Sequence, residues 1–177
     1  MKHDIDNSVV IEETIAMIRT VKIGLIVTVS LWGFVGALGN ILDWNQALGA
    51  VTAVTSMASF EGGAESWKAT TNPIVMWLGA LFIMLSKLTT GAMCAVGARR
   101  MWQSRRSDVA DFKAAKAIGL TGCAIAVIML FGGFLVIAES WFELWRSEGT
   151  IRLALSDAFR YAGMIALIAI FVATADD

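Results

Sequence analysis

Four apolar stretches, at about 23–42, 73–97, 117–138 and 155–174, dominate the sequence and leave little freedom for the fold. Each is close to the ~20 residues an α-helix needs to cross the ~30 Å hydrocarbon core of a bilayer. Inside that core every backbone N–H and C=O must find a partner within the segment, so runs of this length become helices. Four of them use most of a 177-residue chain. The expectation is an all-α membrane protein: one integral domain over residues 1–177, a four-transmembrane-helix bundle with no separate soluble module. Composition agrees, with 57% of residues hydrophobic and 16% charged, against about 45–50% and about 25% in soluble domains. The segment before the first run carries Asp4, Asp6, Glu12 and Glu13. It is too acidic and too long for a signal-peptide leader, so the first run is expected to be a retained span.

The charges are sorted along the chain. Arg19 and Lys22 precede span one, and the connection between spans two and three carries Arg99, Arg100, Arg105, Arg106, Lys113 and Lys116. The other two connections hold Asp43, Glu61, Glu65, Glu139, Glu143 and Glu148 against Lys68, Arg146 and Arg152. Lys and Arg in short loops mark the cytoplasmic side, so both termini and the middle loop are expected inside, in a bacterial cytoplasmic (inner) membrane. The basic loop sets topology, with attraction of anionic lipid as a secondary reading. Trp44, Trp67, Trp77, Trp141 and Trp145 collect at the opposite ends, where indoles sit well at headgroup level.

Each span has small residues at helical spacing, such as Gly33, Gly36 and Gly39, Gly91 with Ala95, Gly119 with Cys123, and Ala162 with Ala166. Such positions let helices approach closely in lipid; a self-packed bundle and packing against another protein use them equally. Cys94 and Cys123 form no disulfide framework and are expected to be packing residues. The first outer loop, 43–72, contains a weakly apolar "NQALGAVTAVTSMASF" expected to lie as an interfacial or re-entrant helix. Pro73 then opens span two. In "AESWFELWRSEG" the i,i+4 spacing of Glu139 with Glu143 and of Trp141 with Trp145 predicts that span three runs out of the membrane as an amphipathic helical turn, stopped by Gly149.

Catalytic and cofactor chemistry finds few groups here. The single histidine is His3, so haem held by paired imidazoles, Glu-x-x-His binuclear sites and imidazole-bound copper or zinc are not expected in the spans. No phosphate loop or nucleophile elbow occurs, and no nucleic-acid partner is expected. Glu139, Glu143 and Asp43 have the chemistry for a hard cation, but the same spacing is routine on a solvated helix face. No catalytic residue, metal ligand or cofactor is assigned.

One residue stands out. Lys87 interrupts "WLGALFIMLSKLTTGAMCAVG" about 15 Å from the end of its span, close to the midplane. A charge at that depth costs about 2.5–3.5 kcal/mol on insertion scales. Spans one, three and four offer no acid there; Asp43, Glu139 and Asp157 are expected at the outer boundary. Three readings stay open. The ammonium snorkels toward the cytoplasmic side, near Ser30, Thr28 or Thr121; it is neutral; or it meets an acid, a lipid phosphate or a cofactor that a partner supplies.

"GNILDWN" at 39–45, "WKATTNP" at 67–73 and "AESWFELWRS" at 138–147 with "AFR" at 158–160 resemble a bacterial family of small integral membrane proteins, domain of unknown function 2165. The strongest part is Glu139, Trp141, Phe142, Trp145, Ser147, Ala158, Phe159 and Arg160. The resemblance implies four helices with both termini inside and implies no known activity. Ala53 and Ala58 stand where the family pattern reads histidine and aspartate, and Lys87 where it usually carries a glutamate. If those groups form a polar site in relatives, this chain is a divergent member kept for its scaffold and contacts.

The favoured function is therefore a non-catalytic accessory or structural subunit packed against a larger membrane complex. A small-solute or ion transporter or channel is the alternative, and an intramembrane enzyme ranks last. The expected partners are membrane lipids and other integral membrane subunits, with a lipid, quinone or pigment at the seam as the sharper version and ordinary lipid contact as the plainer one. The interaction candidates are Lys87, Glu139, Trp141, Phe142, Glu143, Trp145, Arg160, Asp43 and Trp44.

Overall fold

The structure is a computed structural model. It describes the backbone of residues 2–176 and the side chains of residues 12–149 and 151–176; His3, Asp4 and Asp6 lie outside the described side chains. Five helices follow one another: α1 (Lys2–Leu42), α2 (Trp44–Thr55), α3 (Pro73–Gln103), α4 (Val109–Trp141) and α5 (Thr150–Ala173). Among the described residues there is no strand. Four of the helices are long and apolar enough to cross a membrane: Glu12–Leu42 of α1, Pro73–Gln103, Val109–Trp141 and Ile151–Ala173 of α5. They cover the first three apolar runs and extend beyond them, and α5 starts before the fourth and stops at Ala173, one residue short of its end. The Asn72 side chain accepts from the Ile74 N–H at 2.9 Å with Pro73 behind it, and Asp108 accepts from the Asp111 N–H at 2.8 Å, each satisfying a first-turn donor.

The spans alternate in direction. α3 lies against α1 and α4, and α5 against α4 and, more sparsely, α1. One buried cluster joins them, with Ile26 and Val29 of α1, Cys94 and Met101 of α3, Cys123 and Met129 of α4, and Ile165 and Val172 of α5. Glycines set how closely the axes approach. A Cβ on Gly33 would stand 2.7 Å from the Gly91 nitrogen, and one on Gly97 would stand 2.5 Å from the Gly119 nitrogen. At the first crossing the Ser30 hydroxyl donates to the Gly91 carbonyl at 2.8 Å. Without a hydrophobic force between helices in lipid, this close van der Waals contact and the interhelical hydrogen bond hold the bundle. Both cysteines are free and buried in it, Cys94 Sγ lying 3.6 Å from the Gly119 carbonyl.

α2 docks on the start of α3. The Trp44 and Trp77 rings are 5.2 Å apart, Thr52 Oγ1 lies 2.9 Å from Met76 Sδ, and Val51 faces Gly79. α4 changes winding along its length. It is α-wound over Val109–Val127 and π-wound over Ile128–Trp141, so that the Phe142 N–H donates to the Ile137 carbonyl five residues back at 3.0 Å. The helix then stops. Glu143 takes a left-handed backbone (φ 54°), Leu144–Arg146 form a single 3₁₀ turn, and Gly149 has φ 66°. The expected amphipathic turn running out of span three is therefore absent, and Glu139 and Glu143 do not share a helix face. The side-chain spacing permitted a helix, but the left-handed Glu143 and its ion pairs turn the chain back over the bundle.

At the other end the structure corrects the treatment of Arg19, Lys22 and Lys116 as loop charges. Lys22 is fully buried and Lys116 nearly so. Lys22 Nζ lies 2.6 Å from Asp176 Oδ1 and donates to the carbonyls of Thr174 at 2.9 Å and Ala175 at 3.2 Å. Lys116 pairs with the other Asp176 oxygen and donates to Thr174 at 2.8 Å. Two ammonium groups thus meet one carboxylate and the carbonyls of Thr174 and Ala175, just past the negative end of the α5 dipole. Burial opposes the Asp176 charge, but the hydrogen bonds from Lys116 and Lys22 outweigh it and hold the carboxyl below its ordinary range. Arg19 donates to the carbonyls of Arg105 and Ser107 at 3.1 and 2.7 Å and stacks on Phe112, pinning the α3–α4 connection.

Candidate functional site

The candidate site is a set of charges set into the spans. Lys87 is half-buried where α3 crosses α1. A Cβ on Gly36 would be 3.1 Å from its Cδ, and its Nζ donates to Asn40 Oδ1 at 3.4 Å. Asn40 lies near the end of α1 opposite the termini, called the outer end for that reason alone, so the ammonium points away from the end that carries the termini. The expected snorkelling direction, toward Ser30, Thr28 or Thr121, is reversed. Ser30 is committed to Gly91, and Thr28 and Thr121 bond carbonyls of their own helices. The reason is elementary: a helical Cα–Cβ bond tilts toward the helix N-terminus, and the N-terminus of α3 is Pro73, at the outer end.

α5 also carries charges within its span. The Trp32 and Tyr161 rings are 5.9 Å apart across α1 and α5. Asp157 is one turn from Tyr161 toward the start of α5, inside the apolar span Ile151–Ala173. Asp157 pairs with Arg160 Nη2 at 2.8 Å instead, and both side chains are open, 49% and 64% exposed. Arg160 is ten residues into α5, about 15 Å along it. Lys87 has no ion pair among the described residues. An amide oxygen at 3.4 Å orients an ammonium but does not neutralise it.

The other candidates gather at the outer end. Glu143 accepts from Lys68 at 2.7 Å and from Arg146 at 3.0 Å. Those bonds, Lys68 first, hold its carboxyl below the ordinary glutamate range. Arg146 also donates to the Glu61 carbonyl at 3.3 Å and lies over Phe60. Ser59 and Ser147 hydroxyls are 2.5 Å apart, and Trp141 meets Trp67 edge-on at 5.6 Å. Phe142 is buried. Glu143 thus clasps the two outer connections together, and both its oxygens are taken by cations. Asp43 is exposed in the α1–α2 turn without a side-chain cap bond, while Trp44 stacks on Trp77 with its Nε1 buried and unpartnered. Glu139 and Trp145 line a separate groove between α4 and α5. Among the described residues no three His, Cys, Asp or Glu side chains gather into a metal-binding group.

These features define a small four-span bundle with charges at mid-depth and clasped outer loops. The family described as "Predicted small integral membrane protein (DUF2165)" matches residues 18–175. The chain belongs to this family. No curated protein and no solved structure matches it. Within this DUF2165 chain, Ala53 and Lys87 do not share one level. Val51 faces Gly79, eight residues or about 12 Å along α3 from Lys87.

Asn40 gives a weaker signal than an acid would as a partner for Lys87; the amide inside "GALGNIL" is the sequence feature that points to it. Asp176 carried no local signal at all, since its partners are 154 and 60 residues away.

Proposed function

We propose that this protein is a non-catalytic subunit of a larger membrane assembly, seated in a bacterial cytoplasmic membrane with both termini on the cytoplasmic side. The observation that carries this reading is the Asp157–Arg160 pair, left open on α5 within one of the apolar spans. Charged side chains at this depth are expensive against lipid and normally face protein or water. Contact with another membrane protein would exclude lipid from the pair and offer Lys87 an acid. The side of the membrane is supported by the basic end of α3, with Arg99 and Arg100, and the α3–α4 connection, with Arg105 and Arg106. The absence of a catalytic role is supported by the spending of polar groups on structural ties: Ser30, Lys22, Lys116, Asp176 and Glu143 are all engaged.

Extraction of the native protein in mild detergent tests the proposal. A stoichiometric membrane partner is expected, and Arg160→Leu and Lys87→Met are each expected to reduce its retention while the helical content and melting of the isolated chain persist. Recovery of the chain alone, together with solute flux through it after reconstitution, would overturn the subunit reading.

A further inference from the structure

At the outer end, Leu135 and Glu139 of α4, Trp145 of the connecting turn, and Arg152, Leu153 and Phe159 of α5 line a groove of about 590 Å³. It holds two opposite charges that do not meet. Neither Glu139 nor Arg152 has an ion pair or a side-chain hydrogen bond among the described residues. Nearby, Glu143 takes both Lys68 and Arg146, and the other acids at this end without an ion pair among the described residues, Asp43, Glu61, Glu65 and Glu148, are exposed in the connections and do not line the groove. Glu139 and Arg152 are thus a cation-seeking and an anion-seeking group held on one wall and the other of the same cleft.

We infer that the α4–α5 groove binds a zwitterionic membrane phospholipid of the phosphoethanolamine class, Arg152 taking the phosphate and Glu139 the ammonium. Depth agrees with this. Arg152 is in the first turn of α5 and Glu139 in the last turn of α4, so both sit where a span meets the headgroup layer. Arg152 is also close to the amino end of α5, whose dipole favours an anion. Trp145 is exposed, and its indole suits the interface and can lie against the ammonium. Leu135, Leu153 and Phe159 continue the cleft toward the span, where acyl chains lie. The occupant must carry both charges. A purely anionic headgroup would satisfy Arg152 and leave Glu139 facing a like charge. This inference does not rest on the subunit reading.

The full chain in mixed detergent micelles, offered phosphatidylethanolamine and phosphatidylglycerol at equal mole fraction, tests it by native mass spectrometry of retained lipid. Phosphatidylethanolamine is expected to be retained preferentially. Glu139→Gln keeps the side-chain shape and should lower that preference about ten-fold, the size of one charge-assisted hydrogen bond, without lowering phosphatidylglycerol retention. Arg152→Ala should weaken both lipids, and Lys113→Gln, at the opposite end, should change neither. Equal retention of the two lipids by the unaltered chain, or a preference that survives Glu139→Gln, overturns the assignment.

Discussion

Lys22 Nζ and Asp176 Oδ1 stand 2.6 Å apart, both buried, across 154 residues of sequence. With Lys116 on the other oxygen, the cluster ties α1 and α4 to the end of α5. It has two cations for one carboxylate, so its members are not equivalent. Removing Asp176 leaves two buried ammonium groups facing each other, whereas removing Lys116 leaves a matched pair. Breaking a buried pair typically costs about 3–5 kcal/mol. Asp176→Asn is therefore expected to destabilise the detergent-solubilised protein by about that amount, and Lys116→Met by much less. Thermal unfolding of the two variants, measured side by side, checks the asymmetry.

The same cluster sets an acid limit. The folded-state pKa of Asp176 lies below its ordinary value because Lys116 and Lys22 outweigh the effect of burial. A depressed carboxylate contributes stability that is fully present above its unfolded pKa, about 3.9, and is lost as pH falls through the lower folded value. Unfolding midpoints should be flat near neutrality and drop in the acid range below about pH 4. Asp176→Asn should flatten part of that drop. A variant with the same acid profile as the unaltered chain would move the effect to other carboxylates.

Glycine positions separate into two kinds that the sequence does not distinguish. Gly33 and Gly97 are closed by facing backbone, while Gly24 and Gly163 have nothing within 4 Å of an added Cβ. Gly33→Ala or Gly97→Ala must push helices apart, at about 1–3 kcal/mol. Gly24→Ala and Gly163→Ala should be neutral or stabilising by up to about 1 kcal/mol. Four melting curves decide it, and equal losses at all four positions would contradict the crossing geometry.

The spans were legible because burial in lipid imposes a single demand, length without charge, that a sequence displays directly. The Pro73 start of α3 was legible for a similar reason: it depends on one residue. Direction and pairing were not. The depth of Lys87 followed from counting residues, but its heading depended on which end of α3 is outermost and on the tilt of helical Cβ bonds. The meeting of α1 with α5, visible in Trp32 against Tyr161, is a tertiary fact with no local signal. The spacing of Glu143 to Glu139 reads as one helix face, whereas Lys68, 75 residues away, helps hold Glu143 in a left-handed turn.

That turn allows a test that separates backbone from side chain. Glu143 adopts φ 54°, a conformation glycine takes without strain. Glu143→Gly therefore keeps the backbone turn and deletes the bonds to Lys68 and Arg146. If those bonds hold the outer connections together, hydrogen exchange should quicken across residues 60–69 while the spans stay protected. Glu143→Gln, which keeps the shape and loses the charge, should give an intermediate result. Acid should have the same effect on the unaltered chain: the Glu143 carboxyl is depressed by Lys68 and then Arg146, so the clasp is complete above the ordinary glutamate range and loosens as pH falls through the lower folded value. Unchanged exchange in Glu143→Gly would assign the clasp to the aromatic contacts of Trp67 with Trp141 and of Arg146 with Phe60.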